Sequence, residues 1–307
     1  MRNYEPSSSR RDFFKLAFGA ALVVSVPACG TQSATAAIEA ALADLERQAG
    51  GRLGVGILWL EGGDISGHRT DERFGMCSTF KLLLAAVILR EAQERRLDLS
   101  TPVSYTEKNM LEFAPVTKKY LARGFMTIAE LAEAAQKTSD NVAANLLLDR
   151  IGGPPGFTEK LREIGDDTTR LDRFEPDMNL VLPGELRDTT TPGAMAATVR
   201  RVLSGPVLSA ESKELLRAWM AGTQTGLSRL RAGFPSDWRA GDKTGTAIAD
   251  GMSNKYNDVA VAWPGDESKA FVIAAFYEAD GHYDDMRDQD VAVLKSVGEI
   301  VARGLIH

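Results

Sequence analysis

Cysteine is scarce in this sequence: its 307 residues include only Cys29 and Cys77. Cys29 lies in an N-terminal segment that we expect to be cleaved off or lipidated, so Cys77 would be alone in the mature domain. Export would permit disulfide bonds, but a single cysteine has no internal partner. The composition therefore excludes an intramolecular disulfide in the mature domain.

Histidine is almost as rare, and His68, His282 and His307 lie in no motif. A Ser-His-Asp triad is therefore poorly supported. A catalytic zinc site usually takes three protein ligands, often histidines, and no residues in this sequence have that spacing. If the chain is a hydrolase, we expect a lysine or a carboxylate to be its base, with no metal and no cofactor.

The sequence also lacks any run rich in lysine and arginine. Its formal net charge is -6 and its isoelectric point is about 5.3, so nucleic acid is not expected as a partner. Hydrophobic residues make up 44% and charged residues 25% of the chain, which is ordinary for a soluble globular protein. The length allows one large domain or two smaller ones.

Residues 1–36 have the pattern of an export signal. Arg10 and Arg11 precede an apolar stretch at residues 16–26, which is too short for a spanning helix of about 20 residues. The segment resembles a twin-arginine (Tat) signal. It ends either at a weak lipobox with Cys29 or at a small-residue cleavage site at residues 34–36. We therefore expect a periplasmic, secreted or cell-envelope lipoprotein, which would touch the membrane only through a lipid on Cys29.

Strands are predicted near both ends of the mature chain. The apolar patterns that indicate them lie at residues 52–67, 237–248, 258–264 and 270–279. The stretch at residues 79–220 is mostly helical, apart from an irregular loop at residues 170–192. Further helices are predicted at residues 37–48 and 284–304. Because the later strands follow one another without intervening helices, an antiparallel sheet is favoured.

These patterns predict an α/β protein of the α+β type, with a single domain at residues 37–307. Residues 37–70 and 222–307 would form an α/β lobe, and residues 71–221 would form an inserted all-helical lobe. A cleft between two lobes is a common position for a ligand site. We expect this domain to be a monomer.

Ser78 and Lys81 stand three residues apart at the start of a long apolar helix pattern. Side chains at this spacing share a helix face, with Cβ atoms about 5–6 Å apart, so Lys81 can reach the Ser78 hydroxyl. Unpaired N–H groups at a helix N-terminus can hold an oxyanion, and an apolar environment disfavours charged lysine. The pair suits a serine nucleophile with a lysine base; a helix cap beside a snorkelling lysine is the alternative.

Two tripeptides, Ser139-Asp140-Asn141 and Lys243-Thr244-Gly245, follow later in the chain. Each is expected by chance only about 0.1 times in a chain of this length. Together with Ser78-Thr79-Phe80-Lys81, and in this order, they resemble the three motifs of the penicillin-recognising serine enzymes.

The loop at residues 170–192 extends the resemblance to one branch of these enzymes. Its Arg173, Glu175, Pro176 and Asn179 resemble the omega loop of class A β-lactamases. Asp188 would pair with Arg173 across the loop neck, and the Glu175–Pro176 bond is expected to be cis. The resemblance covers residues 38–307 and implies the β-lactamase fold: a five-stranded antiparallel sheet flanked by N- and C-terminal helices, with a helical lobe inserted.

The resemblance implies hydrolysis of β-lactams, and it implies a role for each matching residue. Ser78 would be the nucleophile, its N–H and that of Thr246 would form the oxyanion hole, and Ser139 would relay a proton to the leaving nitrogen. Lys81 and Glu175 are alternatives for the acylation base, and Glu175 would also activate the deacylating water. The residues implied in binding substrate or this water are Asn141, Asn179, Lys243, Thr244, Gly245, Thr246 and Phe113.

Two features depart from the pattern of many class A enzymes. An arginine that binds the substrate carboxylate is missing from residues 254–263, so Arg229 is predicted to take this role from an alternative position. The hairpin at residues 246–258 is longer than usual, which leaves the substrate preference open. Some carbapenem-hydrolysing members have a disulfide at the positions of Cys77 and Ala247, and this chain cannot form it.

Three alternatives to a β-lactamase follow from parts of the pattern. A penicillin-binding D,D-peptidase shares the three motifs, and a sensor domain that stays acylated by β-lactams shares the nucleophile. Both normally lack a deacylating glutamate, so Glu175 argues against them. A solute-binding lipoprotein would explain Cys29 but none of the motifs.

Overall fold

The computed structural model describes residue 1, residues 29–265 and residues 269–306. The predicted twin-arginine segment with Arg10 and Arg11 lies outside these residues, as does the side chain of Cys29. The first helix, α1, spans Cys29–Ala49 and so begins before residue 37, the predicted start. Within the described ranges no helix is long and apolar enough to cross a bilayer.

The helices that follow α1 are mostly those of the predicted helical stretch. They are α2 Phe80–Gln93, α3 Ile128–Thr138, α4 Asn141–Arg150, α5 Gly153–Glu163, α6 Pro192–Leu203, α7 Ala210–Ala221 and α8 Asp288–Ile306. The pattern at residues 127–151 is divided into α3 and α4. This division arises because Ser139 takes a left-handed backbone with φ of 61°, and the Asp140 carboxylate then caps α4 by accepting from the Ala143 N–H.

A five-stranded sheet forms the other half of the molecule. Its strands are β1 Arg52–Trp59, β2 Ser66–His68, β7 Arg239–Ala247, β8 Lys255–Trp263 and β9 Phe271–Glu278. Their order in the sheet is β2-β1-β9-β8-β7, and every neighbouring pair is antiparallel. The predicted fold class and the five-stranded antiparallel sheet are confirmed.

The central strands are buried on both faces and separate two hydrophobic cores. Val259 and Val261 of β8 belong to the core that contains α2, whereas Ala260 and Ala262 belong to the core under α1 and α8. Successive side chains of a strand point to opposite faces, so a continuous apolar run supplies both cores.

The segment at residues 71–221 is not purely helical, contrary to the prediction. Short antiparallel pairs join β3 (Phe74–Gly75) to β6 (Thr189–Thr190) and β4 (Pro102–Ser104) to β5 (Phe125–Thr127). Strands of two or three residues are too short to show a two-residue period in the sequence, which explains why they were missed.

Helix α6 lies in the same segment but packs on β1 and β9 of the main sheet. Gly56 of β1 makes this close approach possible, since a Cβ atom there would lie 2.5 Å from the carbonyl oxygen of Pro192. Helix α6 therefore connects the predicted helical segment to the main sheet.

Helix α2 is the centre of the helical layers and contacts α3, α4, α5, α6 and α7. Of its 14 residues, 11 are buried, as expected for a helix that is apolar on every side. Lys81 lies in its first turn and is therefore enclosed by protein. This burial determines the chemistry of the site described next.

Candidate active site

Ser78 lies in a single 3-10 turn, Cys77–Thr79, immediately before α2. Cys77 has a φ of 47°, a left-handed backbone that costs a non-glycine residue roughly 1–3 kcal/mol. Asn257 of β8 holds the turn, because its side-chain amide donates to the two carbonyl oxygens that precede Cys77, at 2.8 and 3.0 Å. The hydroxyl therefore stands on a strained turn that a neighbouring strand fixes in place.

Strand β7 passes directly beside this turn. A Cβ atom at Gly245 would lie 2.8 Å from the carbonyl oxygen of Met76 and 3.2 Å from the Ser78 nitrogen. Only glycine lets the β7 backbone approach so closely without movement of its neighbours. The backbones of Ser78 and Thr246, the predicted oxyanion hole, are consequently close neighbours.

The Lys81 ammonium is completely buried and meets acceptors from four residues. Its Nζ lies 2.9 Å from Ser78 Oγ, Glu175 Oε1 and the Ser139 carbonyl oxygen, and 2.5 Å from Asn141 Oδ1. Burial lowers the pKa of Lys81, and the negative charge of Glu175 opposes this shift. One ammonium thus joins residues from the first two motifs and from the loop.

Glu175 reaches the same point from the omega loop and is only 4% exposed. Its Oε1 accepts from the Ser78 hydroxyl at 3.1 Å, and its Oε2 accepts from the Asn179 amide at 2.5 Å. The Glu175–Pro176 bond is cis, as predicted. Both bases that the sequence left as alternatives are therefore within hydrogen-bond distance of the Ser78 oxygen.

Asn145 of α4 fixes the Glu175 backbone and was not among the predicted site residues. Its amide nitrogen donates to the Glu175 carbonyl oxygen at 2.8 Å, and its amide oxygen accepts from the Glu175 N–H at 3.0 Å. Asn145 lies four residues after Asn141, a spacing that places both on one helix face. That spacing was the only local signal that pointed to it.

The neck of the omega loop is closed by Arg173 and Asp188. Asp188 Oδ2 accepts from Arg173 Nε at 2.6 Å, while Oδ1 accepts from the backbone N–H groups of Asp172 at 2.7 Å and Arg173 at 3.0 Å. Asp188 is fully buried and has a φ of 58°. The carboxylate therefore binds backbone and guanidinium together.

Ser139 lies between two buried lysines. Its hydroxyl oxygen is 3.1 Å from Lys243 Nζ and 3.5 Å from Lys81 Nζ. Burial, and to a lesser degree the charge of Lys81, lowers the pKa of Lys243 well below its ordinary value. Next on β7, the Thr244 hydroxyl hydrogen-bonds that of Thr225 at 2.6 Å. A hydroxyl bridging two cations can pass a proton in either direction.

Known proteins match this chain along almost its whole length. The model of the Beta-lactamase enzyme family matches residues 37–305. Beta-lactamase L2 of Stenotrophomonas maltophilia is 41% identical, over 96% of this chain and 98% of that protein. The solved class A β-lactamase of the last common ancestor of Gram-negative bacteria is 46% identical with a TM-score of 0.82, over 88% of this chain and all of that one. The chain belongs to the class A serine β-lactamases.

A further relative of this β-lactamase is the carbapenem-hydrolyzing beta-lactamase KPC of Klebsiella oxytoca. It is 40% identical, and the match covers 86% of this chain and 87% of that protein. The enzyme class predicted from the motifs is thus shown by independent likenesses of sequence and structure.

Arg229 of this β-lactamase lies beside the motif on β7 and is only 4% exposed. Its Nη1 donates to the carbonyl oxygens of Gly245 at 2.8 Å and Asn257 at 2.7 Å, and its Nη2 donates to Thr246 Oγ1 at 2.6 Å. Burial lowers the pKa of Arg229, and the nearby Asp258 and Asp242 oppose this shift. The guanidinium therefore lies directly behind the predicted carboxylate-binding hydroxyl.

Three polar side chains in β8 and just before it bind to other parts of the fold, and so are not free to bind a substrate carboxylate. Asn254 donates to the Tyr283 carbonyl oxygen at 2.8 Å, and the Tyr256 hydroxyl accepts from the Arg287 N–H at 3.1 Å. Asn257 holds the turn that carries Ser78. These three side chains thus stabilise the fold around the site.

Phe113 and Cys77 lie beside the polar residues of the site, one with an exposed ring and the other with a buried thiol. The Phe113 side chain is 52% exposed, while its carbonyl oxygen accepts from the Asn141 N–H at 3.1 Å. The free thiol of Cys77 packs against Ala247 and Met252, and burial raises its pKa to about 12. Cys77 is therefore an inert packing residue at neutral pH.

Proposed function

We propose that this β-lactamase opens the β-lactam ring by attack of Ser78, which becomes acylated, and that a water activated by Glu175 then releases the product. The best support is the Ser78 hydroxyl, whose oxygen lies 2.9 Å from Lys81 Nζ and 3.1 Å from Glu175 Oε1. A serine needs an adjacent base to act as a nucleophile. The reaction confers resistance to β-lactam antibiotics.

Acylation begins when the Ser78 oxygen bonds to the lactam carbonyl carbon and its proton moves to Glu175 or to neutral Lys81. The N–H groups of Ser78 and Thr246 hold the oxyanion. The ring C–N bond then breaks, and the nitrogen takes a proton from the Ser139 hydroxyl. Lys81 and Lys243, which hydrogen-bond this hydroxyl, are the donors that can replace its proton.

Deacylation uses the carboxylate again. A water between Glu175 and Asn179 gives its proton to Glu175 while its oxygen attacks the ester carbon. The bond between that carbon and the Ser78 oxygen breaks, and the Ser78 oxygen takes back the proton held by Glu175, either directly or through Lys81. The hydrogen bond from Asn179 to Glu175 Oε2 supports this geometry because it orients the carboxylate.

The substrate carboxylate is received along β7. Lys243 supplies a charge, Thr244 and Thr246 supply hydroxyls, and Arg229 lies behind Thr246. Gly245 lets the strand lie against the Ser78 turn, so that these substrate-binding groups stand next to the nucleophile. Asn141 binds the amide of the substrate side chain, and the exposed ring of Phe113 borders the entrance.

The experiment that tests this function is replacement of Glu175. Without its carboxylate the ester persists, while Lys81 can still activate Ser78. Glu175→Ala should therefore accumulate a covalent penicilloyl adduct on Ser78, visible by intact-protein mass spectrometry, and Ser78→Ala should form none. Wild-type enzyme should turn over a chromogenic cephalosporin repeatedly, unlike a sensor domain. Wild-type turnover by Glu175→Ala without an adduct would refute the mechanism.

We also propose, from the sequence, that the enzyme is a monomer exported through the twin-arginine pathway. The support for export is Arg10-Arg11 ahead of a short apolar segment. Replacing both arginines by lysine should leave the activity in the cytoplasm after cell fractionation. Normal export of the double variant would contradict the pathway.

A further inference from the structure

Two buried carboxyl groups lie beneath the β7 motif. Asp242 and Asp258 are both fully buried. Asp258 of β8 stands opposite Thr244 of β7. Asp242 lies two residues before Thr244, so Asp242 and Asp258 are diagonal neighbours on the same face of the sheet. The two carboxyl groups are close enough for each to shift the pKa of the other. Two carboxylates in such contact cannot both be ionised without a large cost.

The hydrogen bonds of the four carboxyl oxygens show where a proton is needed. Asp242 Oδ1 accepts from Arg231 Nη1 at 3.0 Å, and Asp258 Oδ2 accepts from the Leu230 N–H at 3.1 Å. No donor in the described part of the chain reaches the other two oxygens, Asp242 Oδ2 and Asp258 Oδ1. A single proton between these two would satisfy both, and buried polar atoms are rarely left unpaired.

The surroundings assign the proton to Asp258 and the negative charge to Asp242. Asp242 forms an ion pair with Arg231. Burial, and next the charge of Asp242, raises the pKa of Asp258 well above its ordinary value. Gly226 packs directly against Asp242, since a Cβ atom there would overlap Asp242 Oδ2.

The charge of this pair faces buried cations on the adjoining elements. Arg229 and Arg231 lie on the segment before β7, Lys243 lies next to Asp242 on β7, and Lys81 of α2 lies beyond Lys243. The negative charges of Glu175 and Asp140 act on Lys81. Burial and the charges of Lys81 and Arg229 act against a charged Lys243, while the negative charge of the aspartate pair supports it.

We propose that Asp242 and Asp258 share one proton and act as a positioning pair, whose single negative charge keeps Lys243 protonated to receive the substrate carboxylate. The role of Lys243 rests on the proposed function, whereas the shared proton does not. Neither aspartate touches the substrate.

Paired asparagine variants test the proposal, because they keep the shape of each side chain. In Asp258→Asn the amide nitrogen can donate to Asp242 Oδ2 while the amide oxygen still accepts from Leu230. The pair then retains one negative charge. The basic limb of the pH profile of kcat/KM, which would report the loss of the proton from Lys243, should therefore keep its wild-type pKa. Asp242→Asn/Asp258→Asn has no charge, and its basic limb should move down by about one pH unit or more.

Three controls separate a charge effect from a structural one. Circular dichroism and thermal melts establish that both variants fold, and the loss in the double variant should appear mainly in KM. A cephalosporin with its carboxylate esterified should show no shift of the basic limb. Infrared difference spectra of wild type minus Asp258→Asn should contain the band of one protonated carboxyl group at neutral pH.

Each readout can overturn a distinct claim. Absence of the infrared band contradicts the shared proton. So does a basic limb of the Asp258→Asn pH profile that shifts down as far as that of the double variant. An unmoved limb in the folded double variant contradicts the support of Lys243. If the wild-type enzyme does not distinguish the acid from the ester, the proposed role of Lys243 fails, and the infrared band still decides the shared proton.

Discussion

Three non-glycine residues near Ser78 have a left-handed backbone. They are Cys77, Ser139 and Asp188, with φ values of 47°, 61° and 58°. Such a conformation is uncommon outside glycine, and each instance costs roughly 1–3 kcal/mol. Cys77 precedes Ser78, Ser139 lies between two lysines, and Asp188 closes the omega loop. The backbone is thus strained at positions where the side chains of the site are oriented.

Arg229 combines a structural role with its proposed binding role. Arg229→Ala removes a charge beside Thr246 and leaves two buried carbonyl oxygens without their donor. We expect kcat/KM for penicillins to fall by about 10- to 100-fold, chiefly through KM, since a charge-assisted hydrogen bond contributes about 1.5–3 kcal/mol. Steady-state kinetics together with a melting curve measure both effects.

Arg229→Lys is the matched variant for this position. It restores the charge but not all the hydrogen bonds, so KM should recover more than the melting temperature does. Wild-type kcat/KM in Arg229→Ala would leave Arg229 as a purely structural residue and Lys243 as the main cation of the site.

The residues that the sequence revealed are those that belong to contiguous motifs. Ser78, Lys81, Ser139 and Glu175 could be named because each stands in a short pattern with few chance occurrences. Asn145 and Asn257 could not, because their partners are 30 and 182 residues away in the chain. Hydrogen bonds of that range leave no contiguous motif, and the spacing of Asn145 from Asn141 alone does not identify a partner.

At the scale of elements, the omega loop depends on contacts at both of its ends. Asp188 closes the neck on Arg173, and Asn145 holds the Glu175 backbone from α4. The loop between these points has little regular structure, apart from the turn Asp177–Asn179. The position of the Glu175 carboxylate therefore rests on a few polar contacts.

Asp188→Asn should release this loop. The substitution places an amide where Arg173 meets a carboxylate, and the loss of one partner from a buried ion pair costs about 3–5 kcal/mol. Since Glu175 would be misplaced, deacylation should slow by roughly 10- to 100-fold, and acylation should slow less. Pre-steady-state kinetics would then show a burst followed by a slow steady rate.

Glu185→Gln is the matched control for this prediction. Glu185 pairs with Arg187 on the exposed surface of the same loop, where ion pairs contribute little. A similar burst in this variant would show that any change of charge in the loop perturbs deacylation, contrary to the specific role of Asp188.

The elements differ in how well the sequence predicted them. Strands β7, β8 and β9 and helix α8 follow from long apolar patterns, because burial of a whole face requires them. The short strands β3 to β6 and the packing of α6 on the sheet arise from tertiary contacts. Gly56, which admits α6, has no side chain from which a pattern could be seen.

At the scale of the whole molecule, α1 is joined to the sheet by one buried carboxylate. Glu46 Oε1 accepts from the Leu53 N–H at 2.8 Å and from Arg69 Nε at 2.7 Å. Its Oε2 lies 3.0 Å from His68 Nε2 and accepts from Arg69 Nη2 at 2.9 Å. The helix that covers one face of the sheet is thus tied to both β1 and β2.

This arrangement predicts how stability depends on pH. Burial alone would raise the pKa of Glu46, but hydrogen bonds from Arg69, Leu53 and His68 outweigh burial and lower it to about 2. A carboxyl group whose pKa is depressed on folding stabilises the protein above its unfolded pKa, about 4.3. That stabilisation is lost as the pH falls through the folded value.

Glu46→Gln, which does not titrate, should therefore be less stable than wild type by a constant margin above about pH 5. The margin should shrink progressively as the pH is lowered towards about 2, because only the wild-type carboxyl gains a proton. Thermal melts across this range measure it. Glu299→Gln, which removes a carboxylate from an exposed pair with Lys295, should change stability by less than about 1 kcal/mol. A margin for Glu46→Gln that stays constant down to the lowest pH would mean that α1 is held by packing, and that the charge of Glu46 contributes nothing.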